Sequence, residues 1–219
     1  MPLSYSFRME QQCQTLWCFA AAAVSIDNSM PQPAAPAVPA QQTGSPVPRQ
    51  EAAPAAAPQQ TAPMAPPPPW TQCLLYNTVN HPQPRGTDCC PFACNTVLAG
   101  SECNRPGSML AALVVVGRDG LATNFPAGAP AFSDFTTEIG ADKPIGVRLV
   151  WNPNAPLGNR RAHIVVVSDA YVQNGVEMVR VEDPSDGSSS IHSFTELLAN
   201  YSFHIGSKLS AIYRVKKKP

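Results

Sequence analysis

Apolar side chains in the C-terminal half of the chain follow the pattern of β-strands. Residues 145–151 and 162–172 are rich in β-branched and aromatic residues, which favour the pleated backbone of a strand. Asn174 and Gly175 form a two-residue hairpin signal, and residues 176–182 continue as the returning strand. The pattern therefore predicts an antiparallel sheet in this half of the chain.

The N-terminal half favours helices instead. Residues 18–28 contain four successive alanines, which have the highest helix propensity, and Pro31 follows as a stop signal. Two more helices are predicted at 70–79 and 107–116.

A capping signal marks the last part of the chain. Ser193 and Glu196 have the spacing of a capping box, in which each side chain satisfies the other residue's backbone N–H. A short helix is therefore predicted at 194–201, and a closing strand at 209–215. Together these elements predict an α+β fold with a mainly helical N-terminal half and a mainly antiparallel sheet in the C-terminal half.

Residues 31–69 interrupt this pattern. They are mostly Pro, Ala and Gln, and Arg49 and Glu51 are their only charged residues. Proline removes backbone donors and favours extended conformations, so we predict a disordered insertion. It would separate residues 1–30, which carry the first helix, from residues 70–219, which form the rest of the same domain. A docking site for a proline-binding partner is the alternative.

Charge and hydropathy exclude two classes of partner. The chain has 15 basic and 15 acidic residues, so its summed field gives no general attraction for nucleic acid or for an anionic membrane. Its longest apolar stretches, residues 18–24 and 109–116, are far shorter than the ~20 residues that a membrane-spanning helix needs.

The chain contains seven cysteines, an odd number that leaves at least one thiol unpaired if the others form disulfides. This density is typical of an oxidising compartment and favours secretion, although no clear signal peptide is present. A zinc site is the rival interpretation, but no Cys-x-x-Cys pair occurs. We expect three disulfides that brace the loops beside the active site proposed below. Their connectivity is undetermined, and they would form among Cys13, Cys73, Cys89, Cys90, Cys94 and Cys103.

Cys18 is the candidate nucleophile. It is predicted to lie in the first turn of a helix, and both a helix N-terminus and a nearby imidazolium favour the reactive thiolate form of a cysteine. Trp17 and Phe19 flank it, and Gln12 precedes it by six residues. A buried structural cysteine is the alternative, and Cys13 is a possible competing nucleophile.

This local pattern resembles the papain-like cysteine peptidases, especially the compact bacterial secreted and effector forms. Phe19 stands where tryptophan is usual, and the proline-rich insertion is a second departure. The resemblance covers nearly all of the chain outside the insertion, and it continues through Trp70-Thr71-Gln72-Cys73, Asp88-Cys89-Cys90, Cys103-Asn104-Arg105-Pro106, His163 and Asp183.

The resemblance implies a papain-like fold, with the nucleophile helix packed against the C-terminal sheet. It also implies a Cys-His-Asp triad, made here of Cys18, His163 and Asp183. The side chain of Gln12, with the backbone N–H of Cys18, would form the oxyanion hole. Gln11 and Gln14 are the neighbouring glutamines that compete with Gln12 for this assignment.

The hairpin pattern supports the pairing of His163 with Asp183. His163 opens the apolar run 164–167, which suggests a strand at the centre of the sheet. It lies eleven residues before Asn174, and Asp183 lies eight after Gly175, so a bulge or stagger would bring them to the same end of the hairpin. Asp183 also fits a simple turn.

The resulting expectation is a monomeric thiol hydrolase that cleaves peptide bonds through an acyl-enzyme and uses no metal or cofactor. Its substrate would be a protein or peptide, including a host target protein, outside the producing cell. The alternatives are a glutamine deamidase or transglutaminase at the same site, and a non-catalytic, disulfide-rich interaction protein. We assign no chemistry to His81, expected in a loop, or to His192 and His204, expected to face solvent.

Overall fold

A computed structural model describes residues 3–14, 16–32, 70–81, 88–90, 103–124, 129–151, 161–201 and 207–218. Residues 33–69, nearly all of the predicted insertion, lie outside the described residues. In chain order the elements are α1 (Cys18–Ser29), α2 (Gln72–Asn80), α3 (Met109–Val115), β1 (Asp119–Asn124), α4 (Phe132–Gly140), β2 (Ile145–Trp151), β3 (Arg161–Gln173), β4 (Val176–Asp183), β5 (Ser188–Ser193), α5 (Phe194–Ala199) and β6 (Lys208–Val215).

These elements confirm the predicted α+β class. The strands form one six-stranded antiparallel sheet in the order β1-β6-β2-β3-β4-β5. The strand β3 lies between β2 and β4, as its unbroken apolar run predicts. Both of its faces are buried: Ile164 and Val166 contribute to one core, whereas Val165 and Val167 contribute to the other.

The two cores place helices on both sides of the sheet. Helices α1, α2 and α3 pack against one another, and α1 also contacts β3. Helices α4 and α5 contribute Phe135, Ile139, Phe194 and Leu197 to the opposite core. The apolar face of α1 is almost continuous, because its alanines, Val24 and Ile26 are fully buried. Burial of this helix fixes the position of its first residue, Cys18.

Most predicted elements are present, with bounds that differ by a few residues. The capping box is confirmed, since Ser193 N donates to Glu196 Oε2 at 2.9 Å and Glu196 N donates to Ser193 Oγ at 3.2 Å. The helix that follows ends at Ala199 rather than at residue 201. Three further elements, β1, α4 and β5, were not predicted.

The hairpin between β3 and β4 also follows its prediction. Asn174 and Gly175 have φ values of 51° and 77°, the left-handed conformation that a tight two-residue hairpin turn requires. The register of β3 against β4 shifts between Val167 and Asp169. This irregularity supplies the stagger that brings the start of β3 towards the end of β4.

Two disulfides connect the segments around α2. Cys73 bonds to Cys90, and Cys89 bonds to Cys103. Cys13 is also disulfide-bonded, whereas Cys18 is a free thiol. Five of the six predicted half-cystines are thus disulfide-bonded, and the sixth, Cys94, lies outside the described residues. Within the described ranges, no helix has both the length and the apolar character to span a membrane.

The far end of α1 is held by a buried ion pair. Arg118 Nε donates to Asp27 Oδ1 at 2.8 Å, and the side chain of Arg118 is fully buried. Lys218 Nζ reaches the same carboxylate oxygen at 2.7 Å. The C-terminal segment and the start of β1 therefore both anchor the helix that carries Cys18.

We predict that Asp27→Asn lowers the free energy of unfolding by about 3 kcal/mol, because it leaves the buried Arg118 without its counter-charge. Asp119→Asn is the matched control, since Asp119 pairs with Lys216 at the surface. Such exposed pairs contribute at most about 1 kcal/mol. Urea denaturation measures both changes, and equal effects of the two substitutions would contradict this account of the buried pair.

Candidate active site

His163 and Asp183 form a hydrogen-bonded pair at one end of the β3-β4 hairpin. The distance from His163 Nε2 to Asp183 Oδ1 is 2.7 Å. Both side chains are mostly buried, with 14% and 13% of their areas exposed. Because a carboxylate only accepts, the imidazole donates its Nε2–H to Asp183. This bond leaves Nδ1 as the ring nitrogen available to another partner.

Cys18 lies near the same ring. Its side chain is close enough to His163 to raise the pKa of the imidazole. Cys18 is the first residue of α1, and the N-cap residue Trp17 offers no side-chain cap. The N-terminus of a twelve-residue helix, the positive end of its dipole, therefore begins at Cys18.

Interactions within the site shift the pKa values of His163 and Asp183 in opposite directions. Burial alone would lower the pKa of His163, but hydrogen bonds and charge interactions with Asp183 and Cys18 outweigh it and raise that pKa from 6.5 to about 9. Burial would raise the pKa of Asp183, but His163 and the hydrogen bonds from Ser185 lower it to about 2. At neutral pH the site therefore holds an imidazolium beside a carboxylate.

The direction of these pKa shifts sets how the pair contributes to folding. The raised pKa of His163 gives stability that is fully present below pH 6.5 and is lost as the pH rises through about 9. The lowered pKa of Asp183 gives stability that is present above pH 3.8 and is lost as the pH falls through about 2.

The carboxylate of Asp183 is held by more than the histidine. Ser185 N donates to Oδ1 at 2.8 Å, and the hydroxyl of Tyr201 donates to Oδ2 at 3.1 Å. The turn that follows closes through Gly187 N and Asp183 O at 2.9 Å, with Gly187 at a φ of 73°. Asp183 thus begins a turn, as its local sequence suggests, and also pairs with His163.

Gln12 lies in a segment that crosses the same turn. Its backbone N–H donates to Pro184 O at 2.6 Å. The buried amide of Gln72 holds both neighbouring peptides: Nε2 donates to Gln11 O at 2.8 Å, and Oε1 accepts from Cys13 N at 3.0 Å. The backbone of Gln12 is therefore fixed next to the Asp183 turn, by contacts on both sides of the residue.

The backbone before Cys18 is anchored to the disulfide-bonded segment. Leu16 N donates to Asn104 Oδ1 at 3.0 Å, and Trp17 Nε1 donates to Cys103 O at 2.9 Å. The ring of Trp17 stacks on Tyr76 of α2, with the centroids 4.4 Å apart. The disulfide from Cys89 to Cys103 thus helps to hold the position of the candidate nucleophile.

Three residues of this site were not predicted as parts of it. Trp151, at the end of β2, packs on the ring of His163 with the centroids 5.9 Å apart. Tyr201 and Gln72 contribute the hydrogen bonds described above. Only Gln72 had a visible signal, since it lies in a segment that carries the family resemblance, next to Cys73.

Among the remaining histidines, His192 has surroundings that differ from those expected. His192 was expected to face solvent, but its side chain is only 21% exposed. Its Nε2 lies 2.8 Å from Ser190 Oγ, and its ring lies 5.0 Å from that of Tyr201. His81 follows α2 and contacts the ring of Tyr76, and His204 lies outside the described residues.

The structure therefore brings Cys18, His163 and Asp183 together and places the backbone of Gln12 against the adjoining turn. Gln11 is exposed, and Gln14 is buried. No protein-family model matches the chain, and no curated protein sequence matches it.

We predict that Asp183→Asn lowers the pKa of His163 from about 9 to near or below 6.5, because the substitution removes a charge while the ring stays buried. Nuclear magnetic resonance titration of the imidazole protons measures this pKa. Asp186→Asn is the control, since Asp186 lies in the same turn and accepts from Ser188 N. An unchanged pKa in Asp183→Asn would rule out the pairing.

Proposed function

We propose that the chain is a papain-like cysteine peptidase in which Cys18 is the nucleophile. The observation that carries the proposal is the meeting of three groups. His163 is hydrogen-bonded to Asp183, and the free Cys18, at the start of α1, lies close enough to raise the pKa of the same ring. A nucleophile, a base and a group that orients the base are the elements of a catalytic triad. The α+β arrangement, with α1 packed on β3, supports the same family.

Acylation follows from the charges of the site. The thiolate of Cys18 attacks the carbonyl carbon of the scissile peptide, and an oxyanion forms. His163 then donates the proton on Nδ1 to the leaving nitrogen as the C–N bond breaks, which leaves a thioester on Cys18 and a neutral imidazole. Asp183 keeps the ring oriented through Nε2 throughout this step.

In deacylation His163 acts as a general base instead of a general acid. The neutral imidazole of His163 takes a proton from water, and the hydroxide attacks the thioester carbon. The C–S bond breaks, the carboxylic acid leaves, and the thiolate and imidazolium are restored. The reaction as written uses water and these side chains only.

Gln12 is the proposed donor to the oxyanion, together with the backbone N–H of Cys18. Such a donor is effective only if it is held in place before charge develops. The contacts of the Gln12 segment with Pro184 and Gln72 provide that rigidity. The same contacts connect this segment to the turn that carries Asp183.

The proposed substrate is a protein or peptide outside the cell that makes the enzyme. Disulfides persist in oxidising environments, and here they brace the segments around the candidate site. By family resemblance, we propose that a host protein is the target.

The test of the proposal is digestion of a peptide library by the wild-type chain and by Cys18→Ala. We expect cleavage by the wild type and a loss of at least about 10³-fold in the variant, because no other group replaces the thiolate. Circular dichroism shows whether the variant is folded. Release of ammonia or formation of amine adducts without peptide cleavage would show that the chain is a glutamine deamidase or transglutaminase rather than a peptidase. The absence of any reaction would refute the proposal.

We further predict that Gln12→Ala lowers kcat by about 10²-fold to 10³-fold with a much smaller change in KM, because it removes an oxyanion donor. Gln11→Ala is the matched control. Gln11 is exposed, and within the described ranges its side-chain amide makes one long contact, from Nε2 to Ser185 O at 3.5 Å. Equal activities of the two variants would show that Gln12 is not the oxyanion donor.

A further inference from the structure

Tyr201 contacts the Asp183 carboxylate through the oxygen that His163 does not use. It follows α5 and is buried, with only 2% of its surface exposed. Its backbone N–H donates to Ser207 Oγ at 2.9 Å, which fixes where the residue lies. Its hydroxyl donates to Asp183 Oδ2 at 3.1 Å.

This contact completes the hydrogen bonding of the carboxylate. Oδ1 accepts from His163 and from Ser185 N, and Oδ2 accepts from Tyr201. A carboxylate bonded through one oxygen can rotate about its Cβ–Cγ bond, whereas donors on both oxygens define its plane. The bond from Tyr201 therefore keeps Oδ1 directed at His163.

We propose that Tyr201 is a positioning residue for the candidate triad: its buried hydroxyl locks the Asp183 carboxylate in the orientation that holds His163 against Cys18. The inference rests on the proposed function for its effect on catalysis. The orientation itself can be tested in protein that turns over no substrate.

The environment of the hydroxyl agrees with this role. Burial and the charge of Asp183 raise the pKa of Tyr201, so its hydroxyl remains a protonated donor at neutral pH. Within the described ranges, other ionisable groups near the hydroxyl are Asp186, whose charge also acts on it, and His192, whose ring lies beside its own.

The test compares Tyr201→Phe with the wild type, because phenylalanine keeps the buried ring and removes only the hydroxyl. We expect kcat for peptide cleavage to fall by roughly 10-fold to 150-fold, the range for a lost hydrogen bond to a charged group, while KM changes less than about twofold. Tyr5→Phe is the control, since the hydroxyl of Tyr5 contacts only Asp142 O, at 3.4 Å, in the described structure.

A second readout separates positioning from general stability. In Tyr201→Phe the pKa of His163, measured by nuclear magnetic resonance, should fall by about half a unit to one unit, because a carboxylate that rotates stabilises the imidazolium less well. An unchanged or higher pKa, or an equal loss of kcat in Tyr5→Phe, would overturn the proposal. If the wild type cleaves nothing, the proposed function fails, and the titration of His163 still decides the role of Tyr201.

Discussion

The hydrogen bond between His163 Nε2 and Asp183 Oδ1 joins the two ends of one β-hairpin, and the candidate site is arranged around it. The bond requires a tight turn at Asn174 and Gly175 and a register shift in β3, because a regular hairpin would not bring the two residues into contact. It also leaves Nδ1 unengaged by Asp183, in a ring whose pKa is raised by the nearby Cys18 at the start of α1. The position of α1 on the sheet therefore decides whether the pair can act on a thiol.

Several independent contacts hold α1 in that position. Its alanine-rich face is buried against β3 and the other helices, and a buried ion pair with Arg118 holds its C-terminal end. At the other end, Trp17 stacks on Tyr76 and bonds to the disulfide-linked Cys103. A small lobe built from short helices buries limited apolar surface, so disulfides give rigidity that packing alone would not supply.

The elements that carry the proposed triad could be predicted from the sequence because their patterns are local. The apolar run of β3, the Asn-Gly turn and the alanines of α1 each indicate one kind of structure. By contrast, β1 and β5 are edge strands with few apolar residues, and α4 places only Phe135 and Ile139 firmly in the core. The strand β1 pairs with the distant β6, whereas β5 pairs with the adjacent β4 but has few apolar residues to mark it.

The same distinction applies to the site. Cys18, His163 and Asp183 were predicted from flanking residues and from the hairpin count, together with a family resemblance. The contacts of Tyr201 and Gln72 arise only when α5 and α2 are packed in place, and a sequence does not show which hydroxyl or amide will meet which partner. For the same reason, disulfide connectivity could be determined only from the folded chain.

The central claim is that Cys18 is a reactive thiolate paired with His163. The most direct measurement is labelling of the folded protein with a thiol-reactive epoxide at neutral pH, followed by mass spectrometry to locate the adduct. The account predicts one adduct per chain, on Cys18, and much slower labelling in His163→Ala. Labelling of Cys18 only after unfolding, or equal labelling rates in the two proteins, would contradict it.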